Sequence, residues 1–420
     1  MNTVSAKIML MNGDLDEKLS YLYACPMKKA PVYRKRLIDA IEKFEELFGV
    51  SREISIFSAP GRTEIGGNHT DHQLGRVLAA SVNMDVIAVV SKNDSQVIRV
   101  KSQGYPQDDV DISSLALVEE EKNTSASLIR GMCARFRQLG YAVGGFDAYT
   151  TSNVLQGSGL SSSAAFEVLL GTTMNALFCG GKETALSIAQ ISQYTENVYF
   201  GKPSGLMDQM ASSVGGLVFI DFADPKKPVV EKVDFDFAHC GHTLCIIDSH
   251  ASHADLTDEY AAIPVEMKKV AAFFGKEVLN DVEESAFYAS LPALRASCGD
   301  RAVLRAMHYF EENQRVRLQV RALRNDNFGA FLTYVNDSGR SSWLKLQNVT
   351  PLGAAEHQDM AFTLALCKKL LDGEGAVRIH GGGFAGTALA FVPNDRFERF
   401  KEGVEQVLGE GSCHPLKIKE

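Results

Sequence analysis

Tryptophan is almost absent from this sequence of 420 residues, which contains one, and its eight scattered cysteines form no C-x-x-C pair. The absence of C-x-x-C pairs predicts that the thiols are reduced. No apolar run approaches the roughly 18 residues of a membrane span, and the stretch MNTVSAKIMLMNGDLDEK lacks the basic start and long apolar core of a signal peptide. We therefore expect a cytoplasmic protein with no membrane partner.

An excess of positive charge is also absent, because 43 Lys and Arg face 52 Asp and Glu, for a net charge of −9. Without a positive field, a nucleic-acid partner is not expected. The apolar share of 45% and the charged share of 23% are typical of a globular chain. At about 150 residues per domain, this length favours two domains.

Helices and strands are predicted in both halves of the chain. Apolar residues recur at helical spacing over 32–48, 162–179, 183–199 and much of 257–371. Strand-like runs occur at 85–92 and 96–101, which we expect to pair across a short turn, and at 217–221, 243–249, 376–380 and 387–392. This mixture indicates the α+β class. The charged, Pro-containing stretch DPKKPVVEK at 224–232 predicts a boundary, with an extension over 1–30 and domains over 31–225 and 226–420.

The segment NVLQGSGLSSSAAFEVLL, residues 153–170, is richer in Gly and Ser than packing requires. Gly157 and Gly159 would let backbone amides approach an anion, and the serines open a helix whose N-terminus offers unpaired N–H groups. The segment therefore predicts a phosphate cradle. The alternative is a capped helix after a flexible loop. No G-x-x-x-x-G-K-[ST] string occurs anywhere in the chain.

A second glycine-rich segment, HGGGFAG at 380–386, contains a literal G-x-G-x-x-G string. Dinucleotide sites carry that string at a strand-to-helix turn, with an acidic residue about 20 positions later. Here the string lies between two strand-like runs, so we reject a dinucleotide site. A glycine loop lying against a ligand or another backbone fits better.

Two further segments carry candidate catalytic side chains. Pro60-Gly61 predicts a turn after which Arg62, His69 and Asp71 follow within ten residues; Arg suits a phosphate or an oxyanion, and His with Asp suits sugar hydroxyls. Asp208 lies on a Pro-Ser-Gly-x-x-Asp turn, poised to accept a proton. Glu196, twelve residues earlier, is the type of carboxylate that Mg²⁺ binds. Each feature alone would suit a solvated polar loop, so the argument rests on their combination.

Taken in order, these segments resemble the GHMP kinase superfamily and, within it, the galactokinase family. The three superfamily motifs are similar to APGRTEIGGNHTDH (59–72), GSGLSSSAA (157–165) and GGGFAGT (381–387). Galactokinase-like details are GLMDQ (205–209), DSHASHADLTDEY (248–260) and ENQRV (312–316). The resemblance implies a two-domain α+β fold with ATP in the inter-domain cleft. It also implies the reaction ATP + aldose → sugar 1-phosphate + ADP, with Mg²⁺, ATP and a small-molecule sugar as ligands.

The resemblance also assigns roles to individual residues. Asp208 matches the catalytic Asp and Arg62 the active-site Arg, while Ser163 and Glu196 match the Mg²⁺ ligands. The phosphate-binding residues would be Gly157, Ser158, Gly159, Leu160, Ser161, Ser162, Ser163 and Ala164. The sugar-binding residues would be Asn68, His69, Asp71, Gly205 and Tyr260.

One departure bears on the choice of sugar. Galactokinases usually have G-E-H-T-D-Y where this chain has G-N-H-T-D-H, so Asn68 replaces a carboxylate expected near the sugar 6-hydroxyl. A uronic acid becomes an alternative, although residues 63–75 contain no added cation to pair it, which favours galactose. If galactose is the substrate, Asn68→Glu is expected to be tolerated. Catalytically silent, sugar-sensing relatives lose residues at the Ser-Ser-Ala end of the phosphate loop, which is intact here and favours an enzyme.

Overall fold

A computed structural model describes residues 1–155, 158–202, 204–251 and 256–419, so Gly157 lies outside the described residues. The helices are α1 (Thr3–Asn12), α2 (Asp16–Leu22), α3 (Ala30–Phe48), α4 (Ser125–Gln138), α5 (Ser162–Phe178), α6 (Ala185–Thr195), α7 (Met207–Val214), α8 (Thr257–Phe273), α9 (Glu284–Ala289), α10 (Leu291–Cys298), α11 (Asp300–Arg324), α12 (Phe328–Ser341), α13 (Asp359–Leu371) and α14 (Phe397–Leu408). Single π-helical turns, Glu196–Phe200 and Ser342–Leu346, extend α6 and α12. No helix within these ranges is both long enough and apolar enough to cross a membrane.

The strands form two mixed or antiparallel sheets. They are β1 (Ser55–Gly66), β2 (Arg76–Lys92), β3 (Val97–Ser102), β4 (Gln107–Asp111), β5 (Phe146–Ser152), β6 (Leu217–Asp221), β7 (Val229–Lys232), β8 (His242–Asp248), β9 (Ala376–Ile379), β10 (Thr387–Pro393) and β11 (Cys413–Leu416). The first sheet has the order β4-β3-β5-β2-β6-β7, with β1 on the other edge of β2, and the second has the order β11-β8-β10-β9. This mixture of helices and sheets confirms the α+β class.

The expected pairing of 85–92 with 96–101 is wrong. These segments form β2 and β3, but β5 lies between them, antiparallel to β2 and parallel to β3. The short connection between β2 and β3 therefore crosses over a strand that comes some fifty residues later in the chain. Two edge positions are available beside β2, and local sequence alternation carries no information about which strand occupies them.

The two sheets share a continuous apolar core. One cluster of buried side chains runs from Leu78 and Ala88 in the first sheet to Leu389 and Phe391 in the second, with Phe331 of α12 between them. The predicted boundary at 225 falls between β6 and β7, which pair with each other in the first sheet. The division into domains over 31–225 and 226–420 stays a prediction.

The first 30 residues form helices that pack against α3 and the outer face of the first sheet. Their buried apolar residues join one cluster with α3 and with β2 and β5, including Leu10, Leu19, Ile41, Phe44, Ile87, Val89 and Tyr149. At the edge of this cluster Asp85 is fully buried, and its carboxylate pairs with Arg36 at 2.5 Å and with Lys419 at 3.1 Å. Tyr23 and Ser58 also donate hydrogen bonds to it. Both ends of the described chain are thus attached to β2.

Candidate active site

The end of β1 carries Arg62 into contact with the predicted phosphate loop. The turn predicted at Pro60-Gly61 is wrong, because both residues lie within β1, whose pairing with β2 only shifts register between Pro60 and Arg62. The Arg62 N–H then donates to the Leu160 carbonyl at 3.0 Å, and its guanidinium donates to the Gly159 carbonyl. A Cβ on Gly61 would lie 2.9 Å from the Leu160 oxygen. Glycine is therefore required for this close approach.

Arg62 forms a partly buried ion pair with Asp208. Nε of Arg62 lies 2.7 Å from Oδ1 of Asp208, and Arg62 is 5% exposed. Asp208 stands in the first turn of α7, and its Oδ2 accepts a hydrogen bond from the Ser161 hydroxyl. Burial alone would raise the pKa of Asp208, but the Arg62 guanidinium and the Ser161 hydroxyl outweigh burial and hold that pKa below its ordinary value. Asp208 is therefore a carboxylate at neutral pH.

The loop before α5 has the geometry of an anion site. Ser161 has φ 53°, a left-handed conformation uncommon outside glycine and frequent at functional sites. It directs its hydroxyl to Asp208 and leaves Ser162, Ser163 and Ala164 as the first turn of α5, whose N–H groups have no partner within the helix. Ser163 is exposed at this turn. The helix N-terminus therefore opens beside the Arg62–Asp208 pair.

The glycine-rich 380–386 segment connects β9 to β10 and braces this loop from the other side. Thr387 donates to the Ser158 carbonyl at 2.6 Å, and His380 lies 2.9 Å from the Thr387 hydroxyl and 3.1 Å from that of Thr63. Burial, Arg62 and Arg378 lower the pKa of His380 to about 3, so this imidazole is neutral. Sequence reasoning missed His380 and Thr387, because only the fold brings β10 against the phosphate loop.

Asp71 and Gly205 lie together beside Asp208. A Cβ on Gly205 would overlap Oδ2 of Asp71, so this position accepts only glycine if Asp71 keeps its place. Burial and the neighbouring Asp208 raise the pKa of Asp71 to about 6. The two predicted sugar-binding residues are thus in contact, and the Asp71 carboxyl titrates close to neutrality.

His69 and Tyr260 both reach the glycine-rich connection between β9 and β10. The His69 Nε2 atom lies 2.9 Å from the Gly382 carbonyl, and the Tyr260 hydroxyl donates to the Gly383 carbonyl at 2.7 Å. Burial lowers the pKa of His69, which is therefore neutral near pH 7. The structure places these residues at one backbone segment, with Tyr260 delivered from α8.

Asn68 occupies a different environment from the one expected of a sugar contact. It is 0% exposed, and its amide donates to Glu64 Oε1 at 3.1 Å and to the Gly381 carbonyl at 2.6 Å. Its carbonyl oxygen accepts from Ser342 and Asn348. Asn68 therefore lies beneath the site with its hydrogen-bonding capacity used by the protein. Sequence reasoning missed that a carboxylate, Glu64, lies beside it.

Glu196 belongs to a second acidic cluster at the start of α7, where Gln209 follows Asp208. It is 2% exposed and accepts hydrogen bonds from Lys202 at 2.9 Å, Ser204 at 2.5 Å and Gln209 at 2.8 Å. Gln209 also donates to Glu167, whose other carboxyl oxygen is buried without a partner. Burial and Glu196 raise the pKa of Glu167 to about 9.

Glu167 is the acidic residue that sequence reasoning overlooked. It interrupts the apolar run FEVLL and stands one helical turn after Ser163, so the two share a face of α5. Among the described residues, no three His, Cys, Asp or Glu side chains are placed to hold a metal ion together. Mg²⁺ takes only one or two protein carboxylates and completes its shell with phosphate and water. The oxygen donors present, including an unpartnered one, fit this ion.

Comparisons with known proteins agree with this geometry. The GHMP kinases N terminal domain matches residues 127–216, and the galactokinase galactose-binding signature matches residues 42–92. Among solved structures, the Leishmania major mevalonate kinase in complex with R-mevalonate has a TM-score of 0.59 at 13% identity, covering 87% of this chain and 96% of that one. The fold is that of a GHMP kinase.

More similar proteins narrow the class. A galactokinase from Streptomyces coelicolor is 31% identical over 387 residues, covering 90% of this chain and 95% of the relative. One from Actinobacillus pleuropneumoniae is 32% identical over 374 residues, covering 86% and 91%. The Lactococcus lactis galactokinase complexed with galactose has a TM-score of 0.77 at 24% identity, covering 90% and 97%. The chain belongs to the galactokinase family and is a sugar kinase.

Proposed function

We propose that this chain transfers the terminal phosphoryl group of ATP to the anomeric hydroxyl of galactose, giving galactose 1-phosphate and ADP. The observation that carries this proposal is the position of the Arg62–Asp208 ion pair, whose Nε and Oδ1 atoms lie 2.7 Å apart. The pair lies between a group of residues that suits phosphates and a group that suits a sugar. On one side lies the 158–164 loop and helix start, which suit phosphates. On the other side lie Asp71 and Gly205, which suit sugar hydroxyls. The pair stands where a hydroxyl would meet a phosphate.

Asp208 orients the attacking hydroxyl and accepts its proton. Because Arg62 and Ser161 keep the pKa of Asp208 low, the carboxylate is ionised and ready at neutral pH. A low-pKa base suffices, since an anomeric hydroxyl is more acidic than an ordinary alcohol and phosphoryl transfer through a loose transition state needs its proton removed late. Arg62 stays charged and stabilises the negative charge that develops on the sugar oxygen.

Phosphates of ATP are bound by the start of α5. The N–H groups of Ser162, Ser163 and Ala164 and the helix dipole attract the anion, and the Ser158–Ser161 backbone encloses it. Ser163 and Glu196 would hold Mg²⁺, with Glu167 close by on the same helix face as Ser163. When bound, Mg²⁺ neutralises phosphate charge during transfer.

Galactose is the sugar that these residues fit best. Asp71 offers carboxylate oxygens to ring hydroxyls, while His69 of the same β1–β2 connection and Tyr260 of α8 both contact the glycine-rich 380–386 segment. A uronate would add a carboxylate beside Asp71 and Asp208. Neither nearby arginine is available to pair it, because Arg62 is bound to Asp208 and Arg378 to Glu64.

The test is ADP release by purified protein with Mg²⁺, ATP and a panel of galactose, galacturonate, N-acetylgalactosamine and arabinose. We expect galactose to have the highest kcat/KM. A galacturonate value tenfold above that of galactose, about 1.4 kcal/mol of transition-state preference, would replace galactose as the assigned sugar.

Asp208→Asn tests the assignment of the base. It should lower kcat by about two to four orders of magnitude, the usual contribution of a positioned general base, while sugar binding persists. Asp395→Asn, at an exposed aspartate on the loop after β10, is the matched control and should keep full activity. Retention of activity by Asp208→Asn would contradict the mechanism.

A further inference from the structure

A second cavity, of about 590 Å³, opens between α12, α13 and the start of β9. Its walls are largely apolar and include Trp343, Leu344, Leu364, Leu371 and Val377. Cavities of 300–1,000 Å³ with apolar walls and a few polar groups are typical of small-molecule sites. Of its lining residues, only Arg378 reaches the site described above, through its ion pair with Glu64.

Large apolar side chains stand at the mouth of this cavity. Leu344 is 67% exposed and Trp343, the single tryptophan, is 44% exposed. Both belong to the π-helical turn Ser342–Leu346, which widens the end of α12. Such turns occur frequently at functional sites. A half-exposed tryptophan side chain offers a ring face on which a planar ring can stack.

The charged groups around the cavity have an excess of positive character. Arg340 pairs with Asp337 and Glu374 pairs with Arg396, so these charges are compensated. Lys368, exposed on α13, forms no ion pair with any residue that the structure describes. An anionic group bound at this rim would meet that free ammonium.

Arg378, one of the residues that line the cavity, has an unused hydrogen-bond donor. Arg378 is 0% exposed and lines the cavity, and its Nε–H is buried without a partner among the described residues. A buried donor left without an acceptor costs free energy. A ligand that carries an acceptor into the cavity would recover this cost.

The same arginine connects the cavity to the sugar side of the active site. Its Nη2 lies 2.5 Å from Glu64 Oε1, which accepts from Asn68 Nδ2 at 3.1 Å. Asn68 in turn donates to the Gly381 carbonyl at 2.6 Å, next to the residues that His69 and Tyr260 contact. Three consecutive buried hydrogen bonds thus link the two sites.

We propose that this cavity is a regulatory site for an organic anion with a planar apolar ring. The ring lies on Trp343, the anionic group meets Lys368, and an acceptor takes the free Nε–H of Arg378. Binding changes sugar affinity through the Glu64 and Asn68 contacts. The effect on sugar rests on the proposed function, whereas binding to the cavity does not.

The first experiment measures binding with 8-anilinonaphthalene-1-sulfonate, an aromatic sulfonate, without sugar or ATP. Energy transfer from the single tryptophan reports probe bound near Trp343. We expect saturable transfer and a Kd raised at least tenfold by Lys368→Glu. Lys369→Glu, at the adjacent exposed lysine outside the cavity lining, should leave Kd within twofold. Equal Kd values for the two variants would overturn the proposal.

Ala365→Phe provides an independent check on location. Ala365 lies exposed on the cavity rim, so a larger side chain enters the cavity without disturbing the core. It should abolish energy transfer while the thermal midpoint stays unchanged. Unaltered transfer in this variant would place the probe elsewhere on the surface and contradict the site.

The second experiment measures linkage. Saturating galactose should change the probe Kd at least twofold, and the probe should change the galactose Kd by the same factor, because binding linkage is reciprocal. No change in either constant would overturn the regulatory role. If galactose does not bind at all by calorimetry, the proposed function fails, a result that the sugar-free titration distinguishes from failure of the cavity.

Discussion

At the scale of single residues, we expect the carboxyl of Asp71 to make sugar binding depend on pH. Its pKa is raised to about 6 by burial and by Asp208, so the carboxylate form grows as pH rises through 6. Since the ionised form is the better acceptor for sugar hydroxyls, KM for galactose should fall between pH 5 and pH 7. Initial rates at saturating ATP across this range would measure it.

Asp71→Asn provides the comparison. This variant keeps the volume of the side chain but cannot ionise, so its KM should be higher and should lose the change centred near pH 6. A wild-type KM independent of pH over the same range would show that Asp71 does not bind the sugar as a carboxylate.

The burial of Asn68 reverses one expectation from the sequence. Asn68→Glu looked tolerable as long as the side chain faced the sugar, but its amide lies 3.1 Å from the Glu64 carboxylate and 2.6 Å from the Gly381 carbonyl. Two carboxylates about 4 Å apart repel by about 4 kcal/mol at an effective dielectric constant of 20. Asn68→Glu should therefore lower Tm markedly.

Combining Asn68→Glu with Glu64→Gln should recover part of that loss. The double variant again has one carboxylate and one amide, so the two changes should be less destabilising together than the sum of the single variants. Thermal unfolding of the four proteins gives this coupling as a double-mutant cycle. Strict additivity would show that the two side chains do not interact.

At the scale of elements, Gly205 determines how closely the segment before α7 approaches the Asp71 turn. A Cβ there would overlap Oδ2 of Asp71, so Gly205→Ala should push Asp71 aside and raise KM for galactose by about tenfold or more, with a smaller effect on stability. Gly329→Ala on α12, where a Cβ would make only an ordinary contact, 3.9 Å from Oδ1 of Asn327, is the matched control and should preserve KM. Equal KM values in both variants would contradict a tight Asp71–Gly205 contact.

Elements with strong periodicity were predictable from the sequence, and partners distant along the chain were not. The helix predicted over 32–48 is α3, and the pattern over 162–179 is α5. The hairpin predicted from 85–92 and 96–101 failed because β5 occupies the position between them. Local alternation reports which residues face a core, whereas strand order depends on competition between segments far apart.

The candidate site, like the fold, was predictable only where local sequence patterns determine it. The spacing of Gly, Ser, Arg and Asp residues predicted a phosphate loop beside an Arg and an Asp. In the structure, Arg62 and Asp208 are in contact. The orientation of Asn68 and the approach of His380 depend on how the β9–β10 connection packs, which no local pattern encodes. Glu167 had a usable signal, a single charge within an apolar helix.

At the scale of the whole molecule, Asp85 connects elements from both ends of the described chain. Arg36 and Lys419 both pair with its fully buried carboxylate. Lys419→Met should destabilise the protein by about 3 kcal/mol, the lower part of the range for breaking a buried ion pair, because Arg36 still compensates part of the charge. Urea unfolding would measure the loss.

Lys417→Met, two residues away at an exposed position, is the control and should change the free energy of unfolding by less than about 0.5 kcal/mol. Equal stability of the two variants would mean that the buried pair contributes nothing net.

The Asp85–Lys419 contact spans 334 positions, and this separation has a consequence for biosynthesis. At roughly 5–20 residues per second, a ribosome needs about 17 to 67 s to pass from the aspartate to the lysine. Throughout that interval Asp85, on the central strand β2 of the first sheet, lacks one of the two cations that pair with it, because Lys419 has not yet been synthesised. The first half of the nascent chain is therefore less stable than the same half in the complete protein, and folding is expected to finish only after residue 419 has left the exit tunnel.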